Sequence, residues 1–200
     1  TDTTLTIARP AGADGGIPRH RIEELRAELS GRVATPRDAD WDESRSAWAL
    51  SVDQRPELVV RPADAADVRA AVRFALAEGL RIAPQGTGHN AAPLGDLAGT
   101  MLLRTDLMRG VRIDAARMIA RVDAGVVWAD VTHRAAAHGL AALAGSSPDV
   151  GVVGYTLGGG LSWLGRSHGL AANSVTAIQL VTADGVLRRV DDEHDPELFW

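Results

Sequence analysis

The sequence predicts an α+β fold, and three observations carry that reading. A β-α-β pattern occupies residues 58–83. Short strand-like runs separated by Asp and Gly turns follow over 101–122. After a helix and a long glycine-rich stretch, an Asp-Gly hairpin closes the order near residue 185.

Each element has its own signal. Residues 1–18 are polar and rich in Gly and Pro, which predicts a loose arm, and residues 19–29 carry Ile22, Leu25 and Leu29 at helical spacing. Leu58, Val59 and Val60 read as a short buried strand. Residues 64–78 set Val68, Ala71, Val72, Ala75 and Leu76 on one helical face, and Gly79 ends that helix. Residues 80–83 form the next strand, which runs straight into the loop 84–90, at the carboxyl end of a strand where α/β folds place ligands. The runs 101–103, 111–113 and 118–122 suggest an antiparallel meander. Residues 127–138 form a helix closed by Gly139, and Ala183-Asp184-Gly185 joins strands at 175–182 and 186–190 as a hairpin. Residues 195–200 look like the opening of a helix, so the fold is expected to continue past residue 200.

Composition narrows the function. With 46% hydrophobic residues in 200, the chain can bury a true core in one domain or two, and a net charge of -5 leaves no dominant basic surface for nucleic acid or anionic membrane. A small molecule is the expected partner. There is no cysteine, which excludes disulfides, thiolate nucleophiles, Cys-based zinc sites and a cysteinyl cofactor link. Every Lys/Arg position is Arg, a compositional bias with no functional content. Residues 1–17 lack a secretory pattern and no eighteen apolar residues run together, so a cytoplasmic protein is expected.

Two loops carry the chemistry. The first, Pro84-Gln85-Gly86-Thr87-Gly88-His89-Asn90, follows a strand as a nicotinamide-type fingerprint does, but residues 90–95 break any helix within a turn. A free-standing nest of backbone amides fits it better. His89 either hydrogen-bonds a neighbouring carbonyl or, as a neutral imidazole, adds to an electrophilic carbon such as the activated methyl group of an oxidised flavin. The second loop spans residues 146–161 and includes Gly151, Gly154 and the run Gly158-Gly159-Gly160. Ordering that run costs chain entropy, which either a large flat ligand or close packing of protein segments explains. Tyr155 is the sole tyrosine; its phenol serves a ligand, acts as an acid/base, or satisfies a local carbonyl. His133 and His138 do not share a helix face, and the other histidines lack ligand-spaced partners, so no metal site is expected. The acidic run 191–195 reads as a solvated turn.

In order and spacing these pieces resemble flavoproteins of the vanillyl-alcohol oxidase and p-cresol methylhydroxylase type, in particular the berberine-bridge-enzyme-like FAD-dependent oxidases. The resemblance rests on Asp53-Gln54-Arg55-Pro56, Val59-Val60-Arg61-Pro62 and Asp67-Val68; Gly86-Thr87-Gly88-His89-Asn90; Pro148-Asp149-Val150-Gly151 through Gly160; and Arg166-Ser167-His168-Gly169-Leu170 leading to Val181-Thr182-Ala183-Asp184-Gly185. It covers about residues 50–200.

The resemblance implies a two-subdomain FAD-binding fold: a small βαβ subdomain at 56–104 and a larger one of mixed or antiparallel strands with helices at 105–200. An arm and helix precede it over 1–50, and a substrate-covering domain lies beyond the chain. The implied FAD-binding residues are Pro84, Gln85, Gly86, Thr87, Gly88, His89, Asn90 and Leu94 on the first side. On the second side are Ser146, Ser147, Val150, Gly151, Gly154, Tyr155, Leu157, Gly158, Gly159, Gly160 and Leu161, with Val181 at the adenosine end. His89 would join the flavin 8α carbon; Ser147 stands where doubly linked members have cysteine, so the link would be single. Val150, beside the flavin C4a in the resemblance, favours access of molecular oxygen. The implied activity is an oxidase that takes a hydride from an alcohol, sugar or amine carbon to flavin N5 and forms hydrogen peroxide. The alternatives are a dehydrogenase with non-covalent FAD and a nucleotide-binding domain without redox chemistry. Tyr155 is the only acid/base candidate.

Overall fold

A computed structural model describes residues 16–200; most of the arm expected at 1–18 lies outside it. The first helix, α1 (Arg19–Glu28), is followed by a short edge strand β1 (Arg32–Ala34) and a five-residue helix α2 (Trp41–Arg45). Next come β2 (Leu58–Arg61), α3 (Ala65–Ala77), β3 (Arg81–Gln85) and β4 (Thr100–Arg104). These strands form one sheet in the order β1-β2-β4-β3, with β4 parallel to both β2 and β3 and β1 antiparallel to β2.

Alternation in the strands sends successive side chains to opposite faces of this sheet. Leu58, Val60, Met101 and Leu103 meet Ile22 and Leu25 of α1 and Ala71, Phe74 and Ala75 of α3. Val59, Ala83 and Leu102 cover the other face with Ala34 and Leu97. The α3 helix begins where Asp64 accepts hydrogen bonds from the amides of Ala66 and Asp67 at 2.8 and 3.0 Å, a side-chain cap on otherwise unpaired donors. It ends at Gly79, whose φ of +66° suits glycine. Pro84 sits in β3, the edge strand, where a missing N–H costs no ladder bond on the open side.

The second half contains β5 (Val111–Asp114) paired antiparallel with β6 (Ile119–Val122), then α4 (Trp128–Ala136), α5 (Val152–Leu157) and α6 (Gly165–His168). The antiparallel hairpin of β7 (Ile178–Val181) and β8 (Leu187–Val190) follows, and α7 (Pro196–Phe199) closes the order. A separate core joins Val111, Val126, Trp128, Val131 and Val152. The β7–β8 turn rests on α3, where Arg69 donates to the carbonyl of Gly185.

Two expectations need correction. The run 101–103 does not open an antiparallel meander, because β4 inserts between the parallel strands β2 and β3 and only β5 and β6 form the antiparallel pair. Its four buried residues, Thr100, Met101, Leu102 and Leu103, are what a strand covered on both faces requires. The glycine-rich stretch 146–161 is also not loop throughout. Its residues 152–157 turn into α5, anchored where the Val152 amide donates to the Val126 carbonyl at 2.9 Å.

Candidate functional site

The loop 86–90 leaves the end of β3 as a run of backbone amides. Two of its carbonyls are engaged: Trp48 donates to Thr87 at 3.0 Å and Ala49 to Gly88 at 3.4 Å. Its amides are not, for among the described residues those of Gly86, Thr87, Gly88, His89 and Asn90 find no protein acceptor. Such a row of N–H groups is a receptor for anionic oxygen. Gly88 holds φ at +84°, and a Cβ there would stand 2.8 Å from the Ala47 Cβ and 2.9 Å from Gln85 Nε2. Glycine is therefore required at 88 by the protein itself.

The second loop closes on the first. A Cβ at Gly151 would lie 3.7 Å from Thr87 Cγ2, so main chain passes the first loop at contact distance. At Gly154 a Cβ would meet nothing within 4 Å, so that glycine presents open backbone, whereas at Gly86 it would touch the Ala124 carbonyl oxygen at 3.8 Å and Thr105 Oγ1 at 3.9 Å. Gly160 is different. Its φ is +73°, and a Cβ would overlap Tyr155 Cε1 at 2.6 Å and Ala171 Cβ at 2.7 Å, so close packing of protein segments accounts for this glycine.

His89 lies between the loops. Its Nδ1 is 2.7 Å from Thr87 Oγ1. Its Nε2 is buried without a hydrogen-bond partner and stands 3.8 Å from Asp149 Oδ1. Trp48 stacks on the ring at a centroid distance of 4.0 Å and an interplanar angle of 15°, and its indole N–H donates to Asp149 Oδ2 at 2.8 Å. Three separate stretches of chain thus converge on one imidazole.

Trp48 and Asp149 have no role readable from the sequence. Nothing local marks Trp48, which has Ala47, Ala49 and Leu50 as its neighbours. What positions it is a part-buried cation. The Arg104 guanidinium at the end of β4 donates to the carbonyls of Ser44 and Ser46 at 2.9 Å each and of Glu43 at 3.4 Å, capping α2 directly before Trp48. Burial lowers the proton affinity of this guanidinium, and Asp106 opposes that. Beneath the loop, Gln54 donates to Gln85 at 3.0 Å, both side chains being buried.

The remaining sequence-marked residues separate into groups. Pro84, Asn90, Leu94, Ser146 and Ser147 are exposed around the loops, as are Leu157 and Leu161. Val150 packs part-buried against the Trp128 core. Val181 ends β7, paired with Leu187. The Tyr155 hydroxyl donates to the Leu143 carbonyl at 3.2 Å, its ring meets Trp128 edge to face at 5.3 Å, and burial pushes the phenol up from its ordinary value. Glycines 158 and 159 leave α5, with Gly159 at φ +97°.

The donor set suits FAD. Five amides without a protein acceptor among the described residues fit a pyrophosphate, and open backbone at Gly154 leaves room for a flat ring system.

Comparison with known proteins agrees with this. A family model described as FAD binding domain matches residues 56–191. The (R)-6-hydroxynicotine oxidase of Paenarthrobacter nicotinovorans is 37% identical over 172 residues, covering 86% of this chain and 38% of that protein. Among solved structures, BBE-like 1 of Physcomitrella patens superposes with a TM-score of 0.82 at 27% identity, over 89% of this chain and 39% of that one. The glucooligosaccharide oxidase of Acremonium strictum, described with 6-S-cysteinyl, 8α-N1-histidyl FAD, gives a TM-score of 0.82 at 28% identity over 90% and 38% of the two chains. The chain therefore spans about two fifths of the length of these relatives.

Proposed function

The chain belongs to the FAD binding domain family, and from that premise we propose that it is the FAD-holding part of an oxidase acting on a small organic substrate, with His89 covalently joined to the cofactor. The single observation that carries this is the row of free amides at 86–90 ending beside the unpartnered Nε2 of His89.

The residues divide the work. Amides of residues 86–90 would hold the pyrophosphate, residues 146–161 would line the isoalloxazine, and the end of β7 at Val181 would meet the adenosine. Bound FAD supplies a two-electron acceptor for a hydride from an alcohol, sugar or amine carbon, and a route for those electrons to dioxygen. The chain's own part is to bind, orient and hold. Gly88 lets the loop pack closely on Ala47, and the Gln54–Gln85 pair supports the loop from below. Ser147 offers no thiol, so one histidyl bond is the whole covalent attachment. Val150, part-buried at the start of α5, is the residue we assign to oxygen access. With these goes a cytoplasmic location, testable by fractionation.

The test is made on the full-length protein. It is expected to carry visible flavin absorption, to reoxidise in air faster than free reduced flavin with release of hydrogen peroxide, and to lose that advantage in Val150→Leu. A flavoprotein that reoxidises no faster than free flavin would contradict the oxidase reading, and a colourless folded protein would contradict flavin binding.

A further inference from the structure

We propose that the space between β6 and β7 is a slot for one further β-strand, filled by an extended segment of the full-length polypeptide outside residues 1–200. That strand would join the two hairpins of the second half into a single sheet in the order β5-β6-occupant-β7-β8.

The second half places its strands in two separate pairs, β5 with β6 and β7 with β8. A two-stranded hairpin is at best marginally stable by itself in water. Among the described residues no backbone hydrogen bond joins one pair to the other, and none ties residues 119–122 or 178–181 to any element besides their own partner strand. β6 and β7 therefore each keep one open edge. In an antiparallel pair alternate residues turn their N–H and C=O groups to that edge, and such a row is a template for another strand.

One side-chain bond spans the two pairs, and it runs between these same two strands. The Arg121 guanidinium on β6 donates to Gln179 Oε1 on β7 at 3.1 Å. Strands in direct contact lie about 4.8 Å apart and exchange main-chain hydrogen bonds, whereas two long side chains reach across about twice that spacing, the width that one inserted strand requires.

The registers define the two faces of the slot. In the first pair Val111 opposes Val122, and both pack on the Trp128 core together with Ile113, while Arg112 opposes Arg121 on the other face. In the second pair Gln179 opposes Arg189, and Ile178 opposes the fully buried Val190. Since Arg121 and Gln179 share the outer face, alternation puts Ile178 and Leu180 on the inner one, where both are still only part-buried. The segment that fits has apolar residues facing inward, between Val122 and the pair Ile178 and Leu180. Its alternate residues are polar or acidic and lie outward beside Arg112 and Arg121.

The same polypeptide is the favoured source. This chain spans about two fifths of the length of its relatives, so most of such a protein is further chain. A strand on the same chain also reaches the slot at a high effective concentration, without the cost of assembling two molecules.

The test uses the full-length protein, with amide hydrogen exchange resolved residue by residue by fragmentation mass spectrometry. In an edge strand alternate amides exchange as open ones, and in an inner strand all are held. The expected result is that every amide of residues 119–122 and 178–181 exchanges at least about a hundredfold more slowly than an open amide. The occupant is then identified by replacing Arg121 and, separately, Gln179 with the photoreactive benzoylphenylalanine. Unchanged exchange elsewhere shows that these variants are folded. A crosslink to a segment outside residues 1–200, in a product of monomer mass, supports the proposal. Open exchange at alternate positions of β6 or β7, crosslinks confined to residues 1–200, or crosslinks found only between two copies each overturn it. None of these outcomes depends on how flavin is held, so the cofactor reading stands or falls separately.

Discussion

Gly88 shows how tightly single residues are specified at this site. Its positive φ and the 2.8 Å approach to Ala47 leave no room for a side chain, and the contact is with the segment that carries Trp48. Gly88→Ala is expected to destabilise the protein by about 1–3 kcal/mol and to lower flavin content as well, measured by urea unfolding and visible absorption. Stability loss without flavin loss would mean that the 47–49 segment does not shape the site. Tyr155 gives the opposite case. Its hydroxyl is spent on the Leu143 carbonyl, so Tyr155→Phe should cost about 1 kcal/mol and leave turnover nearly unchanged. A fall in turnover of a hundredfold or more, with stability retained, would instead make the phenol an acid/base.

Elements are held by carboxylates that satisfy backbone donors. Asp67, buried in the first turn of α3, accepts from the amides of Ser30, Gly31 and Ala63 at 2.8 to 3.0 Å, tying the chain after α1 to the helix. Asp67→Ala strands those three donors and is expected to cost at least about 2 kcal/mol in urea unfolding, against about 1 kcal/mol for the Asp64→Ala cap variant. Beside β8, Asp191 is held well below the usual carboxylate range, first by the His194 side chain and also by Arg189. A carboxyl whose value is lowered on folding stabilises the folded state above its unfolded value near 3.8, and that contribution is lost as pH falls through the acid range. Urea midpoints should therefore drop from about pH 5 downward, less steeply in Asp191→Asn; identical slopes would contradict this assignment.

These elements also show what a sequence makes legible. β2, α3 and β3 were readable because alternation and helical spacing are strong there and Gly79 marks the stop. β1 has three residues and exists only by pairing with β2, so nothing local announces it. The α5 turn was hidden because glycines at 151, 154 and 158 disfavour helix, and only its tether to Val126 selects it. Both glycine loops and His89 were visible. Their partner Trp48 was not, since a contact between residues 48 and 149 leaves no trace in local pattern.

At the scale of the molecule, the segment before β2 packs onto the loop that carries His89. Arg104 grips the carbonyl end of α2, α2 delivers Trp48, and Trp48 joins the first loop to Asp149 of the second. Arg104→Leu is expected to keep the sheet, because the residue ends β4, yet to loosen this connection. The measurement is flavin content at matched secondary structure by circular dichroism, with a clear drop expected. The chain's family match begins at residue 56, after this segment, which makes the contribution of residues 41–55 the less visible part of the fold.

The most direct measurement is acid precipitation of the purified full-length protein, with the flavin colour followed into pellet or supernatant. The colour is expected to stay in the pellet, and His89→Ala is expected to move it to the supernatant. Colour found wholly in the supernatant from the unaltered protein, or retained in the pellet of His89→Ala, would contradict the assignment of His89 as the residue that holds FAD.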